Sequence, residues 1–128
     1  MPRILVVDDE PGMRRSLAIS LKREGYEVEE AAGGTESLVR LEREIYDLVM
    51  TDLKMTPVGG LEVLAAAKKA APRTEVIVMT AYGSIEAAVE AMRLGAFDFV
   101  SKPFQAEEIL ARVRNALEKA RLTTEVRL

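Results

Sequence analysis

Five polar residues of this chain follow short apolar runs, and their types are those that handle a metal ion and a phosphoryl group. They are three aspartates, a threonine and a lysine: Asp8, Asp9, Asp52, Thr80 and Lys102. If the apolar runs are neighbouring strands of one parallel sheet, their carboxyl ends lie along the same edge. The five side chains then share one site, which suits a divalent cation and a phosphoryl group.

The three carboxylates of this site need a counter-charge. Two like charges about 4 Å apart repel by about 4 kcal/mol at an effective dielectric constant near 20. The chain contains no histidine and no cysteine, which removes the usual zinc ligands. A hard cation bound through oxygen therefore fits best, which means Mg²⁺, Mn²⁺ or Ca²⁺, and of these we expect Mg²⁺, with Mn²⁺ as an alternative.

An aspartate in such a site can act as a nucleophile toward phosphorus and form an acyl phosphate. The transfer requires alignment and neutralisation of the phosphoryl oxygens, for which the ion, the Lys102 ammonium and the Thr80 hydroxyl are suited. Taken alone, each residue has a more ordinary explanation, such as helix capping for the first two aspartates. Their joint occurrence favours the functional interpretation.

The length and composition are those of a single globular domain: 128 residues, 48% of them hydrophobic and 30% charged. The net charge of −3 argues against nucleic-acid binding. No apolar stretch approaches the roughly 20 residues needed to span a bilayer, and the N-terminus lacks a secretory signal pattern. We therefore expect a cytoplasmic protein with no membrane partner.

The elements that must position the polar residues alternate between strand and helix patterns. The strand-like runs are residues 3–7, 26–30, 47–51, 75–80 and 96–100, and each precedes a helical pattern. Five such units predict an α/β fold, a doubly wound five-stranded parallel sheet of the flavodoxin-like (βα)5 type with strand order 2-1-3-4-5. The run 26–30 has the weakest apolar pattern and is expected at the sheet edge.

Several details of the helices are also predicted. In the third helix, Leu61, Leu64 and Ala65 are expected to face the core. Ser84 is expected to cap the fourth helix. The last helix should span residues 105–121 and be followed by an irregular tail.

Four motifs make the chain resemble the receiver domain of bacterial two-component response regulators. They are Ile-Leu-Val-Val-Asp-Asp-Glu at 4–10, Asp-Leu-Val-Met-Thr-Asp at 47–52, Met-Thr-Ala at 79–81 and Val-Ser-Lys-Pro-Phe at 100–104. The resemblance covers essentially the whole chain. It implies a regulatory phosphoacceptor rather than an enzyme, with a receiver domain over residues 1–119 and a helix end or linker over residues 120–128.

The resemblance implies a role for each site residue. Asp52 corresponds to the aspartate that accepts a phosphoryl group from a sensor histidine kinase. Asp9 corresponds to a direct Mg²⁺ ligand, and Asp8 assists directly or through water. The backbone carbonyl of Lys54 corresponds to the third protein ligand of the metal.

The same resemblance implies a conformational switch. Thr80 matches the hydroxyl that moves toward the phosphoryl group, with Lys102 as its ammonium partner. Phe99 matches a position whose rotamer changes on activation, although it could equally be an ordinary core residue. Tyr82 matches a position that flanks the approach of water, and its bulk is expected to slow hydrolysis of the acyl phosphate.

The segments 81–84 and 95–99 resemble the receivers of nitrogen-regulatory enhancer-binding transcriptional activators. In those proteins an ATPase domain and a DNA-binding domain follow, and neither is present in this chain. A homodimer is plausible through the face of the fourth helix, fifth strand and fifth helix. The fourth helix offers small and apolar residues for it: Ala87, Ala88, Ala91 and Met92.

The segment after Asp52 departs from the pattern of the receiver family. The family usually reads Met-Pro-Gly-x-Asp-Gly there, whereas residues 55–60 read Met-Thr-Pro-Val-Gly-Gly. The proline is displaced by one position, and Gly59 stands where the family has an acidic residue. The conformation of this loop is therefore open.

Three other readings compete with a phosphoacceptor. A phosphohydrolase of the haloacid dehalogenase type uses Asp-x-Asp-x-Thr, but here Lys54 occupies the position of the general acid, which disfavours turnover. A flavin-binding module would need a phosphate-binding loop after the first strand, where the run Asp-Asp-Glu would repel the phosphate. A phosphorylation-independent interaction module usually lacks part of the acidic set, which is complete here.

Overall fold

The computed structural model describes residues 1–81 and 85–127, with side chains described as far as residue 122. In these residues five strands alternate with five helices. The strands are β1 (Arg3–Val7), β2 (Glu27–Ala31), β3 (Leu48–Asp52), β4 (Glu75–Thr80) and β5 (Asp98–Ser101). The helices are α1 (Pro11–Arg23), α2 (Gly34–Arg43), α3 (Gly60–Ala70), α4 (Ile85–Arg93) and α5 (Ala106–Arg127). All strand pairs are parallel, in the order β2-β1-β3-β4-β5, which confirms the predicted fold.

The strands are apolar because helices cover both faces of the sheet. Successive side chains of a strand point to opposite faces. Ile4 and Val6 of β1 belong to the core under α1 and α5, whereas Leu5 and Val7 belong to the core under α2 and α3. The predicted apolar stripe of the last helix is buried in the first of these cores: Ile109, Val113, Ala116 and Leu117. This double coverage leaves the strand ends as the places where polar side chains can gather.

Strand β2 lies at the edge of the sheet, as its weak apolar pattern predicted. Charged side chains lie along that edge. Glu29 of β2 accepts hydrogen bonds from Arg3 at 2.5 Å, Arg40 at 2.8 Å and the Tyr46 hydroxyl at 2.7 Å. Burial, followed by the hydrogen bond to Glu29, raises the pKa of Tyr46, so the phenol stays protonated as a donor. A charged edge of this kind also discourages pairing with a second sheet.

Two expectations about the helices need correction. Ala65 is exposed, and Val63 and Ala67 occupy core positions of α3 beside Leu64. Helix α5 continues to Arg127, so the expected irregular tail is wrong for the residues that are described. Ser84, the expected cap of α4, lies outside the described residues. Among the described helices, none is long and apolar enough to cross a membrane.

The alanines of α4 belong mainly to the core rather than to a free surface. Ala88 and Ala91 are almost fully buried against the sheet, which makes them wrong as members of an exposed dimer face. Their small side chains let α4 pack closely on β4 and β5. Met92 is exposed, and so are Ile85 and Val89 of the same helix.

The loop between β3 and α3 packs closely against the end of β3 despite its unusual sequence. The Gly60 N–H donates to the Leu53 carbonyl at 3.0 Å, and Met55 is buried. Both Thr56–Pro57 and Lys102–Pro103 are cis peptides. A Cβ atom on Gly60 would lie 2.3 Å from the Asp52 carbonyl oxygen and 2.7 Å from Leu53 Cα. Only a glycine therefore lets α3 begin this close to the strand that carries Asp52.

We expect Gly60→Ala to lower the free energy of unfolding by about 1–3 kcal/mol, because the backbone must shift to accept the methyl group. Gly12→Ala in α1 is the matched control, since a Cβ there meets nothing within 4 Å. That control should stabilise the protein by about 0.5–1 kcal/mol. Urea unfolding measures both, and equal stability of the two variants would contradict the close approach.

Candidate functional site

The carboxyl ends of four strands bring the predicted polar residues to one edge of the sheet. Asp8 directly follows β1, Asp52 ends β3, Thr80 ends β4 and Lys102 directly follows β5. Carboxylate oxygens of Asp8, Asp9 and Asp52 all lie within 4.8 Å of one another. The sequence prediction that the three carboxylates and the lysine converge is thus confirmed by the geometry.

Asp8 is the fully buried member of the acidic group. Its Oδ1 accepts the Glu10 backbone N–H at 3.0 Å, and its Oδ2 accepts the Lys102 ammonium at 3.0 Å. Its own backbone N–H donates to the Ala31 carbonyl at 3.3 Å. Both carboxylate oxygens of Asp8 and its backbone N–H therefore have hydrogen-bond partners, as a buried charge requires.

Asp9 and Asp52 are the carboxylates whose oxygens remain able to bind an ion. Asp9 is exposed, and within the described residues no hydrogen bond or ion pair holds its carboxylate. Asp52 is mostly buried, with the Lys102 ammonium 3.5 Å from its Oδ2. Burial raises the pKa of Asp52, the charge of Lys102 lowers it and the charge of Asp8 raises it again, and the net direction is upward.

Lys102 carries the positive charge that faces the carboxylates. Burial lowers its pKa, but the hydrogen bond to Asp8 and the charges of Asp52 and Asp8 outweigh burial, so the pKa is raised. The side chain is therefore an ammonium at neutral pH. Its backbone N–H donates to the Thr80 carbonyl at 2.7 Å, which places the ends of β4 and β5 side by side.

The remaining predicted residues differ in how far they are exposed to solvent. Thr80 is buried. Lys54 is exposed, and its backbone hydrogen bond lowers the pKa of Asp52. Phe99 is 39% exposed, so the alternative that it is an ordinary core residue is wrong. Tyr82 lies outside the described residues.

The sequence-based reasoning missed Arg14. Its guanidinium donates to the backbone carbonyl of Asp8 at 2.9 Å and to Glu30 of β2 at 3.1 Å. One signal in the sequence was available, because Arg14 lies near the N-terminus of α1, where the helix dipole disfavours a cation. A basic residue at such a position indicates a specific partner.

Comparison with protein families identifies the class to which this fold and site belong. The model of the response regulator receiver domain matches residues 4–114. The chain therefore belongs to the response regulator receiver domain family. Receiver domains are regulatory parts of two-component signalling systems, and they bind Mg²⁺ at an acidic cluster of the kind that Asp8, Asp9 and Asp52 form here.

Individual relatives are transcriptional regulators of greater length. The chain is 40% identical over 124 residues to the transcriptional regulatory protein GlrR of Escherichia coli (strain K12), a match that covers 97% of this chain and 28% of GlrR. It is 42% identical over 122 residues to the uncharacterized transcriptional regulatory protein YkoG of Bacillus subtilis (strain 168), covering 95% of this chain and 54% of YkoG. The chain thus spans about half or less of these relatives.

Solved structures show the same fold. NtrX from Brucella abortus in complex with ATP superposes with a TM-score of 0.92 and 36% identity, over 98% of this chain and 29% of that one. A response regulator receiver domain protein from Clostridium thermocellum superposes with a TM-score of 0.91 and 33% identity, over 96% of this chain and 99% of that one.

The burial of Asp52, together with the charge of Asp8, predicts an effect of Asp52 on stability. The folded protein holds the proton of Asp52 more tightly than the unfolded chain does. Ionisation of Asp52 therefore lowers the free energy of unfolding. In the absence of metal, Asp52→Asn should therefore be more stable than the unaltered protein at neutral pH. The gain should vanish below the ordinary aspartate pKa of 3.8, where both states hold the proton.

Urea unfolding in the presence of a chelator, at neutral pH and at about pH 3, measures this difference. The acid measurement is the control, because the same substitution then changes no charge. A variant that is less stable than the unaltered protein at neutral pH would contradict the expectation.

Proposed function

We propose that this chain accepts a phosphoryl group from a sensor histidine kinase onto Asp52 and so switches a transcriptional response. The observation that carries the proposal is the convergence of three carboxylates and the Lys102 ammonium at the carboxyl ends of β1, β3 and β5. Membership of the receiver family and the similarity to transcriptional regulators support it.

The donor atoms of the site fit Mg²⁺, with Mn²⁺ as the alternative. All the side-chain donors are oxygens, and three carboxylates face one lysine, so the group retains negative charge that a divalent cation can offset. Asp9 and Asp52 would hold the ion together with the backbone carbonyl of Lys54, with Asp8 assisting. When bound, the ion would neutralise charge on the phosphoryl oxygens.

The acceptor in this proposal is a carboxylate oxygen of Asp52. It attacks phosphorus and forms the acyl phosphate bond, while the bond from phosphorus to the donor nitrogen breaks and its electron pair remains with the donor. The Lys102 ammonium, 3.5 Å from Asp52, can then pair with a phosphoryl oxygen. Buried Thr80 supplies a hydroxyl that can donate a hydrogen bond to another.

In this proposal, phosphorylation changes the position of the end of β5. The Lys102 backbone N–H donates a hydrogen bond to the Thr80 carbonyl. A movement of either residue toward the phosphoryl group would therefore displace the end of β5. Phe99 lies on the same strand and is exposed, and a change in its rotamer would alter the neighbouring surface. That surface includes exposed apolar residues of α4, and it would control a homodimer or an output ATPase or DNA-binding domain elsewhere in the protein.

Phosphoacceptance is tested by incubating the protein with Mg²⁺ and a small acyl phosphate and measuring its intact mass. We expect a labile gain of one phosphoryl group that is lost in Asp52→Asn and after removal of Mg²⁺. Asp47→Asn is the matched control, because Asp47 directly precedes β3, at the end of that strand away from Asp52, and should not affect the gain. No gain in a folded, Mg²⁺-bound protein would overturn the proposed function.

The role of Thr80 is tested by separating acceptance from switching. Thr80→Ala should still gain a phosphoryl group, but the nuclear magnetic resonance signals of β5 should shift much less on phosphorylation, because the hydroxyl that draws the strand inward is missing. Thr80→Ser keeps the hydroxyl and should behave like the unaltered protein. Equal shifts in the Ala and Ser variants would exclude Thr80 from the switch.

A further inference from the structure

Arg14 joins the edge of the sheet to the loop that carries the acidic group. Its side chain is only 14% exposed. Its Nε donates to Glu30 Oε1 at 3.1 Å, and a terminal nitrogen donates to the Asp8 carbonyl oxygen at 2.9 Å. A guanidinium is a planar fork, so one side chain can hold both acceptors at once.

The carbonyl that Arg14 contacts belongs to the peptide that links Asp8 to Asp9. Because a peptide unit is planar, fixing its carbonyl also fixes its N–H and the direction of the next Cα, which is that of Asp9. Asp8 has further supports through both of its carboxylate oxygens. No such support reaches the Asp9 carboxylate within the described residues, so its position depends on its backbone.

We propose that Arg14 is a positioning residue that acts through the Asp8–Asp9 peptide to aim the Asp9 carboxylate toward the cation. This inference rests on the proposed function, since it assigns a role in binding the ion. In this proposal Arg14 acts by orienting Asp9 and not through its own positive charge.

Charge and geometry predict effects of opposite sign. Removing a cation near three carboxylates would, by Coulomb attraction alone, make a divalent cation bind more tightly. Loss of a residue that orients a metal ligand instead weakens binding, typically by 10–100-fold. The direction of the change in Mg²⁺ affinity therefore distinguishes the two roles.

Arg15 provides a matched control on the neighbouring position. Its Nε donates to the other carboxylate oxygen of Glu30, also at 3.1 Å, but its side chain is 68% exposed. Its described hydrogen bond and ion pair are to Glu30 alone. Substituting Arg15 therefore removes the same charge and the same ion-pair partner while leaving the Asp8–Asp9 peptide held.

The test compares Arg14→Met and Arg15→Met in the full chain by titration with MgCl₂, followed by nuclear magnetic resonance shifts of backbone amides. We expect the dissociation constant for Mg²⁺ to rise about tenfold in Arg14→Met and to stay the same or fall slightly in Arg15→Met. Without metal, the amides of Asp9 and Glu10 should also exchange faster with solvent in Arg14→Met than in Arg15→Met.

Unchanged or tighter binding by Arg14→Met, or equal weakening in both variants, would overturn the inference. If Arg14→Met fails to fold, Arg14→Lys decides the question. A single ammonium keeps the charge beside Glu30 but cannot reproduce the fork, so weaker Mg²⁺ binding is expected, and unaltered affinity would overturn the role. Failure of the unaltered protein to bind Mg²⁺ would instead overturn the proposed function.

Discussion

The structure depends on one electrostatic constraint, which is that three carboxylates must lie within 4.8 Å of one another. Parallel strands impose this crowding, because their carboxyl ends meet at one edge. Asp8 and Asp9 directly follow β1, and Asp52 ends the neighbouring strand β3. Lys102 offsets part of the repulsion by contacting both Asp8 and Asp52. Burial and then the charge of Asp8 raise the pKa of Asp52 despite the opposing charge of Lys102, and a divalent cation beside Asp52 would favour its ionised form.

The rest of the fold can be understood as support for that edge. Two apolar cores cover both faces of the sheet, so the strands are packed on both sides up to the residues that carry the charges. Gly60 lets α3 start directly against the backbone of Asp52. At the other end of the sheet, buried Glu75 of β4 pairs with Lys119 of α5 at 3.2 Å and lies 3.8 Å from Lys68 of α3. These ion pairs therefore fix β4 to α5 and α3 at the end of the strand that lies away from the site.

Patterns with a simple period were predictable, and contacts between elements were not. The order of strands, the edge position of β2 and the buried stripe of α5 followed from apolar runs and helical spacing. The inward position of Ala65 was wrong because a short helix rich in alanine has a poorly defined apolar face, and Val63 and Ala67 fill the core instead. The exposure of Phe99 also required the structure, since an aromatic residue in a strand is more often buried.

The kinds of chemical group in the site, and the strand ends that carry them, could be predicted from local patterns, because apolar runs and helical spacing indicate the strands and their parallel order. The different environments of adjacent residues became known only from the three-dimensional structure. Asp8 and Asp9 are adjacent and identical, yet one is buried against Lys102 and the other faces solvent. Likewise Arg14 and Arg15 are adjacent and identical, and only Arg14 is placed to hold the Asp8 carbonyl. Such differences depend on the direction of each side chain relative to elements distant in sequence, which no local pattern contains.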